Sequence, residues 1–158
     1  MKPVVRGFIF NPEGDILFAR HNPNTPWVLP WWHIENGEAL HEAMIREIQE
    51  EFGIRARFFE IDEEEVVHHN GKSLVMRPLP IASYDLVYKN AKGIDQSRTE
   101  YIFLMETDDE IQKVQSSEIV EFAWFSPEKI LSMKSNTETW DFYQEILEKI
   151  IWEDELWN

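Results

Sequence analysis

The sequence has no cysteine, which excludes a disulfide framework, a thiolate nucleophile and a thiolate metal site. Any metal must be held by oxygen or imidazole, so hard cations come first. No apolar run approaches the roughly 18 residues that span a bilayer, and the N-terminus lacks the charged, apolar and small-residue pattern of a secretory signal. A cytoplasmic protein without a membrane partner is expected. Positive charge is also scarce: 15 Lys and Arg against 30 Asp and Glu leave a net charge of −15. Such a surface repels nucleic acid backbones at long range, so a duplex is not an expected partner. A small phosphorylated ligand is compatible, because a bound cation can bridge carboxylate to phosphate.

What is present suits one domain over residues 1–158, with 43% hydrophobic, 28% charged and 13% aromatic residues, seven of them Trp. Val4–Phe10 and Ile16–Ala19 have strand composition and flank the turn Asn11-Pro12-Glu13-Gly14-Asp15. His21 to Thr25 and Pro26 form a loop that runs through Trp27-Val28-Leu29-Pro30 to Trp31 and Trp32. From Ala39 to Phe52 there is no Gly or Pro, and Leu40, Met44, Ile45, Ile48 and Phe52 recur at helical spacing before Gly53. Strand composition returns over Arg55–Ile61, Leu74–Met76, Ile81–Tyr88, Thr99–Glu106 and Glu121–Phe125, with turn signals at Asn70-Gly71 and Lys92-Gly93. Ser126-Pro127-Glu128 opens one helix, and Glu138–Trp152 reads as a longer amphipathic one. The order implies an α+β fold, an αβα sandwich with a mixed sheet between helices.

The helix ending at Phe52 carries chemistry as well as packing. Glu47, Glu50 and Glu51 cover an arc of roughly 100° beside the apolar arc of Met44, Ile48 and Phe52. Glu47 and Glu51, at i and i+4, repel by a few tenths of a kcal/mol. Arg46 reaches Glu50, but Glu47 and Glu51 have no basic neighbour at helical spacing within the helix. Mg2+ or Mn2+, which take oxygen ligands, would satisfy them. Metal-bearing carboxylates of this kind suit phosphoryl chemistry, so hydrolysis of a phosphoanhydride follows.

Glu38, seven residues, then Arg46-Glu47-Ile48-Gln49-Glu50-Glu51-Phe52-Gly53-Ile54 resembles the signature of the Nudix hydrolase (MutT-like) family at every position but the first. The preceding Trp27-Val28-Leu29-Pro30, the Asn36-Gly37 step, the first hairpin and Glu121–Phe125 before a helix extend the likeness over most of the chain. The resemblance implies metal-dependent hydrolysis of a small-molecule nucleotide, a nucleoside triphosphate or another nucleoside diphosphate derivative. It makes Glu47, Glu50 and Glu51 metal ligands, Arg46 the residue that orients a carboxylate, and Glu38 an accessory acid. It also calls for a later acidic residue, for which Glu118 and Glu121 are candidates.

Trp32 stands where the signature has its first Gly, and Trp31 where another Gly commonly precedes it. The resemblance makes the carbonyl of Trp32 a candidate metal ligand and Trp31, Trp32 and His33 candidate substrate contacts. If these positions need positive φ, each indole sits at a conformational cost. Three outcomes are open. The indoles turn outward and leave a working site, they stack on a base, or they block the site and leave a catalytically impaired nucleotide-binding or protein-interaction module. Arg20 and Arg77 are further candidate phosphate contacts. His68-His69 falls at an expected turn, and His21 and His41 carry less signal. Phe8, Phe10, Tyr84, Trp124 and Phe125 are expected mainly in the core. Trp140, Tyr143, Leu147, Ile150 and Ile151 form an expected helix face, and Trp152 and Trp157 could serve a homodimer.

Overall fold

A computed structural model describes residues 3–34, 40–59, 65–69, 72–77 and 80–157. Glu38 and the Asn36-Gly37 step lie outside the described residues, as do the side chains of Arg77, His68, His69, Trp152 and Trp157.

The chain builds the expected αβα sandwich. Strands β1 (Val4–Phe10), β2 (Ile16–Arg20), β3 (Trp31–His33), β4 (Ala56–Phe58), β7 (Ala82–Lys89), β8 (Asp95–Thr107) and β9 (Glu121–Phe125) form one mixed sheet. Its path runs β4-β8-β1-β2-β9, with β3 on β1 and β7 on β8. β1 runs parallel to β8 and antiparallel to β2 and β3. Strands β5 (Glu65–His69) and β6 (Lys72–Arg77) pair separately as a two-stranded sheet.

Alternation along β1 fills both layers. Val5 and Ile9 face helix α1 (Leu40–Phe52), packing with its Met44, Ile48 and Phe52. Phe8 faces the other way, against Ile130 of α2 (Pro127–Ser132) and Tyr143 and Leu147 of α3 (Asp141–Trp157). The helix boundaries follow local chemistry. Gly53 adopts φ 68°, the left-handed stop after Phe52. Ser126 caps α2 by accepting the Lys129 N–H at 3.1 Å.

Three expectations need correction. The Trp pair is not in a loop: Trp31–His33 pairs with Val4–Arg6. His68 and His69 lie in β5 rather than in a turn. Glu138 to Trp140 are not helical, because the Glu138 carbonyl accepts the Trp27 N–H at 2.8 Å and the Thr139 hydroxyl donates to the Trp27 carbonyl at 2.8 Å. Those ties delay α3 until Asp141. Among the described residues no helix is long and apolar enough to cross a membrane.

Candidate active site

Helix α1 buries His41, Ala43, Met44, Ile48 and Phe52, which turns Glu47, Glu50 and Glu51 toward the opposite edge. No basic residue occupies its last turn, so these carboxylates gather at the negative end of the helix dipole, where Arg46 is the one arginine or lysine of the helix. The segment after β8 closes over them. The Gln115 N–H donates to the main-chain carbonyl of Glu51 at 2.7 Å. Ser116, Ser117 and Glu118 follow and line, with Glu47, Glu50 and Glu51, a cleft of about 370 Å³. The Glu118 N–H donates to Ser116 Oγ at 3.2 Å, and its carbonyl lies 3.0 Å from His21 Nδ1. Of the two later acids, Glu118 thus stands on the cleft. Glu121 instead accepts both Nε and Nη2 of Arg20, at 3.1 and 2.6 Å.

Arg46 Nη1 lies 3.3 Å from Glu47 Oε1 and 3.5 Å from Glu50 Oε1. Glu51 is held differently: its Oε2 accepts the indole N–H of Trp32 at 2.9 Å. Burial pushes the Glu51 carboxyl above its ordinary range; the indole bond opposes this, while Glu47, Glu118 and Glu50 add to it by repulsion.

The register of β3 explains this contact. Trp32 pairs with Val5 and Trp31 with Arg6, so the two indoles lie on opposite faces of the sheet. Trp32 joins the layer under α1 and is only 4% exposed. Trp31 lies beside the Arg6 guanidinium, 5.6 Å from its ring centroid, and beside His21, with ring centroids 4.5 Å apart. The pair does not act as a unit, outward or inward. Nor does either residue carry the expected strain, since among the described non-glycine residues the only positive φ belongs to Asn136. The role given to the Trp32 carbonyl also changes. The flanking bonds Gly7 N–H to Pro30 O (3.3 Å) and Ile34 N–H to Pro3 O (3.4 Å) set Val5 and Trp32 at a hydrogen-bonded position of the ladder. That carbonyl is directed to the sheet rather than to the cleft.

His33 is exposed at the end of β3. Arg20, besides pairing with Glu121, lies over the Trp27 ring at 4.1 Å from its centroid. His41 packs in the core against Phe58 and Phe103. Behind Trp31, Arg6 Nε donates to Glu100 Oε1 at 2.5 Å and Nη1 donates to the Leu29 carbonyl at 2.7 Å. Arg98 and Tyr84 also donate to Glu100. This buried network was not foreseen, because its members are up to 94 residues apart. The lining by Gln115, Ser116 and Ser117 was likewise missed, since nothing in that short polar stretch distinguishes it from an ordinary loop.

The oxygen-rich donor set on the cleft suits a hard divalent cation. Among the described residues no three acidic or imidazole groups are gathered closely enough to share one ion. Glu47 and Glu50 face Arg46 and Glu51 faces Trp32, so the fit lies in the donors' chemistry and in the cleft they share.

A family model for the NUDIX domain matches residues 1–147. The chain belongs to the Nudix family. An RNA pyrophosphohydrolase of Novosphingobium aromaticivorans is 26% identical over 137 residues, covering 82% of this chain and 80% of its own. One from Baumannia cicadellinicola is 38% identical over 56 residues, but that match spans only 35% of each chain. A NUDIX-family hydrolase from Clostridium perfringens has the same fold, with a TM-score of 0.63 at 21% identity, covering 94% of this chain and 97% of its own. Nudix proteins generally use divalent metals such as Mg2+ or Mn2+, in keeping with the donor chemistry above.

Proposed function

We propose that this Nudix pyrophosphohydrolase cleaves a phosphoanhydride of a nucleoside triphosphate, or of another nucleoside diphosphate derivative, by attack of water. The cleft shared by Glu47, Glu50 and Glu51 of α1 with Glu118 of the facing segment carries the reading. The α1 carboxylates would hold Mg2+ or Mn2+. Such an ion neutralises phosphate oxygens, makes bound water more acidic and steadies the leaving phosphate. Arg46 offsets the charge of Glu47 and Glu50 and orients them. The Glu118 carboxylate faces the cleft as a proton acceptor for the attacking water, and the hydroxyls of Ser116 and Ser117 are donors for phosphate oxygens.

The relatives named RNA pyrophosphohydrolases raise a second substrate, the 5′ end of RNA. Charge favours the small nucleotide. Every arginine with a described side chain, namely Arg6, Arg20, Arg46, Arg55, Arg57 and Arg98, is already ion-paired to a carboxylate. Little arginine charge is left to neutralise a polynucleotide backbone, and the net charge of −15 opposes one. Glu38, Arg77 and His33 stay candidates for substrate contact.

The test is a release assay for phosphate and pyrophosphate across nucleoside triphosphates, dinucleoside polyphosphates, nucleoside diphosphate sugars and 5′-triphosphate RNA, with Mg2+ or Mn2+. Metal-dependent turnover is expected with nucleoside triphosphates above RNA, and Glu51→Gln is expected to lower it by orders of magnitude without unfolding the protein. Full activity in Glu51→Gln would contradict the assignment.

A further inference from the structure

We propose that Trp32 is a positioning residue, which by its indole N–H fixes one oxygen of the Glu51 carboxylate and so aims the other into the cleft. The inference rests on the functional reading of Glu51 and adds to it a residue that stands where the family signature has glycine.

The geometry carries it in three steps. First, pairing with Val5 sends the Trp32 side chain under α1, where it is 4% exposed and packed in the layer of Ile48 and Phe52. The indole ring therefore has little freedom, and its single donor must be satisfied locally. Second, the acceptor is Glu51 Oε2, 2.9 Å away on the next layer. The bond joins residues 19 apart in sequence, so it ties β3 directly to the last turn of α1. Third, Glu51 is gripped from the other side too, its main-chain carbonyl accepting the Gln115 N–H at 2.7 Å. Glycine at position 32 could supply neither the packing nor the donor. Glu47 and Glu50, by contrast, pair with Arg46, which is half-exposed. Among the described residues, Glu51 is thus the carboxylate of the cluster whose orientation is set from within the core.

Partners that orient a metal-binding group from behind typically contribute 10- to 100-fold to metal affinity. Mn2+ binding followed by electron paramagnetic resonance should therefore weaken about 10-fold in Trp32→Phe, which keeps the aromatic bulk and removes the donor. In the Glu51→Gln background the same substitution should change Mn2+ affinity less than twofold, because the residue it acts through is already altered. A second readout needs no Trp32 variant to fold. Among the indole N–H signals of the seven Trp in a 15N spectrum, one should lie downfield and shift on Glu51→Gln and on Mn2+-free Mg2+ addition, while the others hold still.

Equal losses of Mn2+ affinity in both backgrounds would make Trp32 merely structural and overturn the proposal, as would unchanged or tighter binding in Trp32→Phe. An indole spectrum indifferent to Glu51→Gln would overturn it as well. If Glu51→Gln itself leaves Mn2+ affinity and turnover at wild-type levels, the functional assignment of Glu51 fails and the positioning role falls with it. If Glu51→Gln loses both while Trp32→Phe loses neither, the assignment of Glu51 stands and only the positioning role is lost.

Discussion

Replacing Glu51 by Gln should abolish activity and, in metal-free buffer, make the protein more stable. In the folded chain the Glu51 carboxyl is pushed above its ordinary range, first by burial and then by Glu47, Glu118 and Glu50, against the stabilising bond from Trp32. An acid with a raised folded-state pKa binds more protons folded than unfolded, so its contribution to stability falls as pH rises from its ordinary value through the raised one. Above the raised value that loss is complete. Glutamine carries no charge to be desolvated or repelled, and its side-chain oxygen can still accept the Trp32 indole N–H. Repulsion from Glu47 at i,i+4 contributes a few tenths of a kcal/mol, and the unfavourable position at the negative end of α1 about as much again. Because Glu51 is only half-buried and the hydrogen bond weakens when its acceptor is neutral, the net gain is about 0.5–1 kcal/mol. For a chain of this size that is roughly 1–4 °C in Tm. Calorimetry in chelator from pH 4 to pH 8 should show wild-type stability declining relative to Glu51→Gln as pH rises from the ordinary carboxylate range. Mg2+ should then raise the Tm of wild type more than that of the variant. A variant less stable than wild type at pH 7 in chelator, with parallel pH profiles, would refute the reasoning.

The buried pair between Arg6 and Glu100 makes a separate stability prediction: Glu100→Leu strands a buried guanidinium and should cost about 3–5 kcal/mol, or roughly 10 °C in Tm, whereas Arg6→Met with Glu100→Leu should cost far less than the two single changes added together. Glu100 is burdened by burial but held below the ordinary carboxylate range by Arg6, Tyr84 and Arg98, so its stabilisation is present at neutral pH and is lost as pH falls through its depressed value; an acid-unfolding titration of wild type against Glu100→Gln would show it. Trp31→Ala, which removes a ring from beside Arg6 on the far face of the sheet, should lower Tm while leaving Mn2+ affinity within twofold, and a large loss of Mn2+ binding would show that Trp31 also reaches the cleft. Ser126→Ala removes the N-cap of α2 and should cost about 1 kcal/mol by thermal melting, with no change in activity.

The parts that could be read directly from sequence are those fixed by local periodicity. The Met44, Ile48 and Phe52 spacing defines both the packed face of α1 and, by exclusion, the edge bearing Glu47, Glu50 and Glu51. β1 and β9 are similarly legible from runs of β-branched and aromatic residues with turns beside them. β3 was hidden because three residues beginning after Pro30 have no period to display, and they become a strand only by meeting Val4–Arg6. Once that pairing exists, alternation alone sends Trp32 to Glu51 and Trp31 to Arg6, a division that a reading of Trp31-Trp32 as one loop feature could not reach. The start of α3 failed for the same reason: Glu138 and Thr139 have helical neighbours in sequence but bond to Trp27, over 100 residues away. Glu118 was legible only as one of two acids, and the Arg20 to Glu121 pair distinguishes them in space.

Phosphorus NMR of a nucleoside triphosphate incubated with the protein tests the central claim most directly, run with Mg2+, with chelator, and with Glu51→Gln. The account predicts loss of the phosphoanhydride signals with Mg2+ and wild-type protein alone. Unchanged spectra in every arm with every nucleotide tried would contradict it.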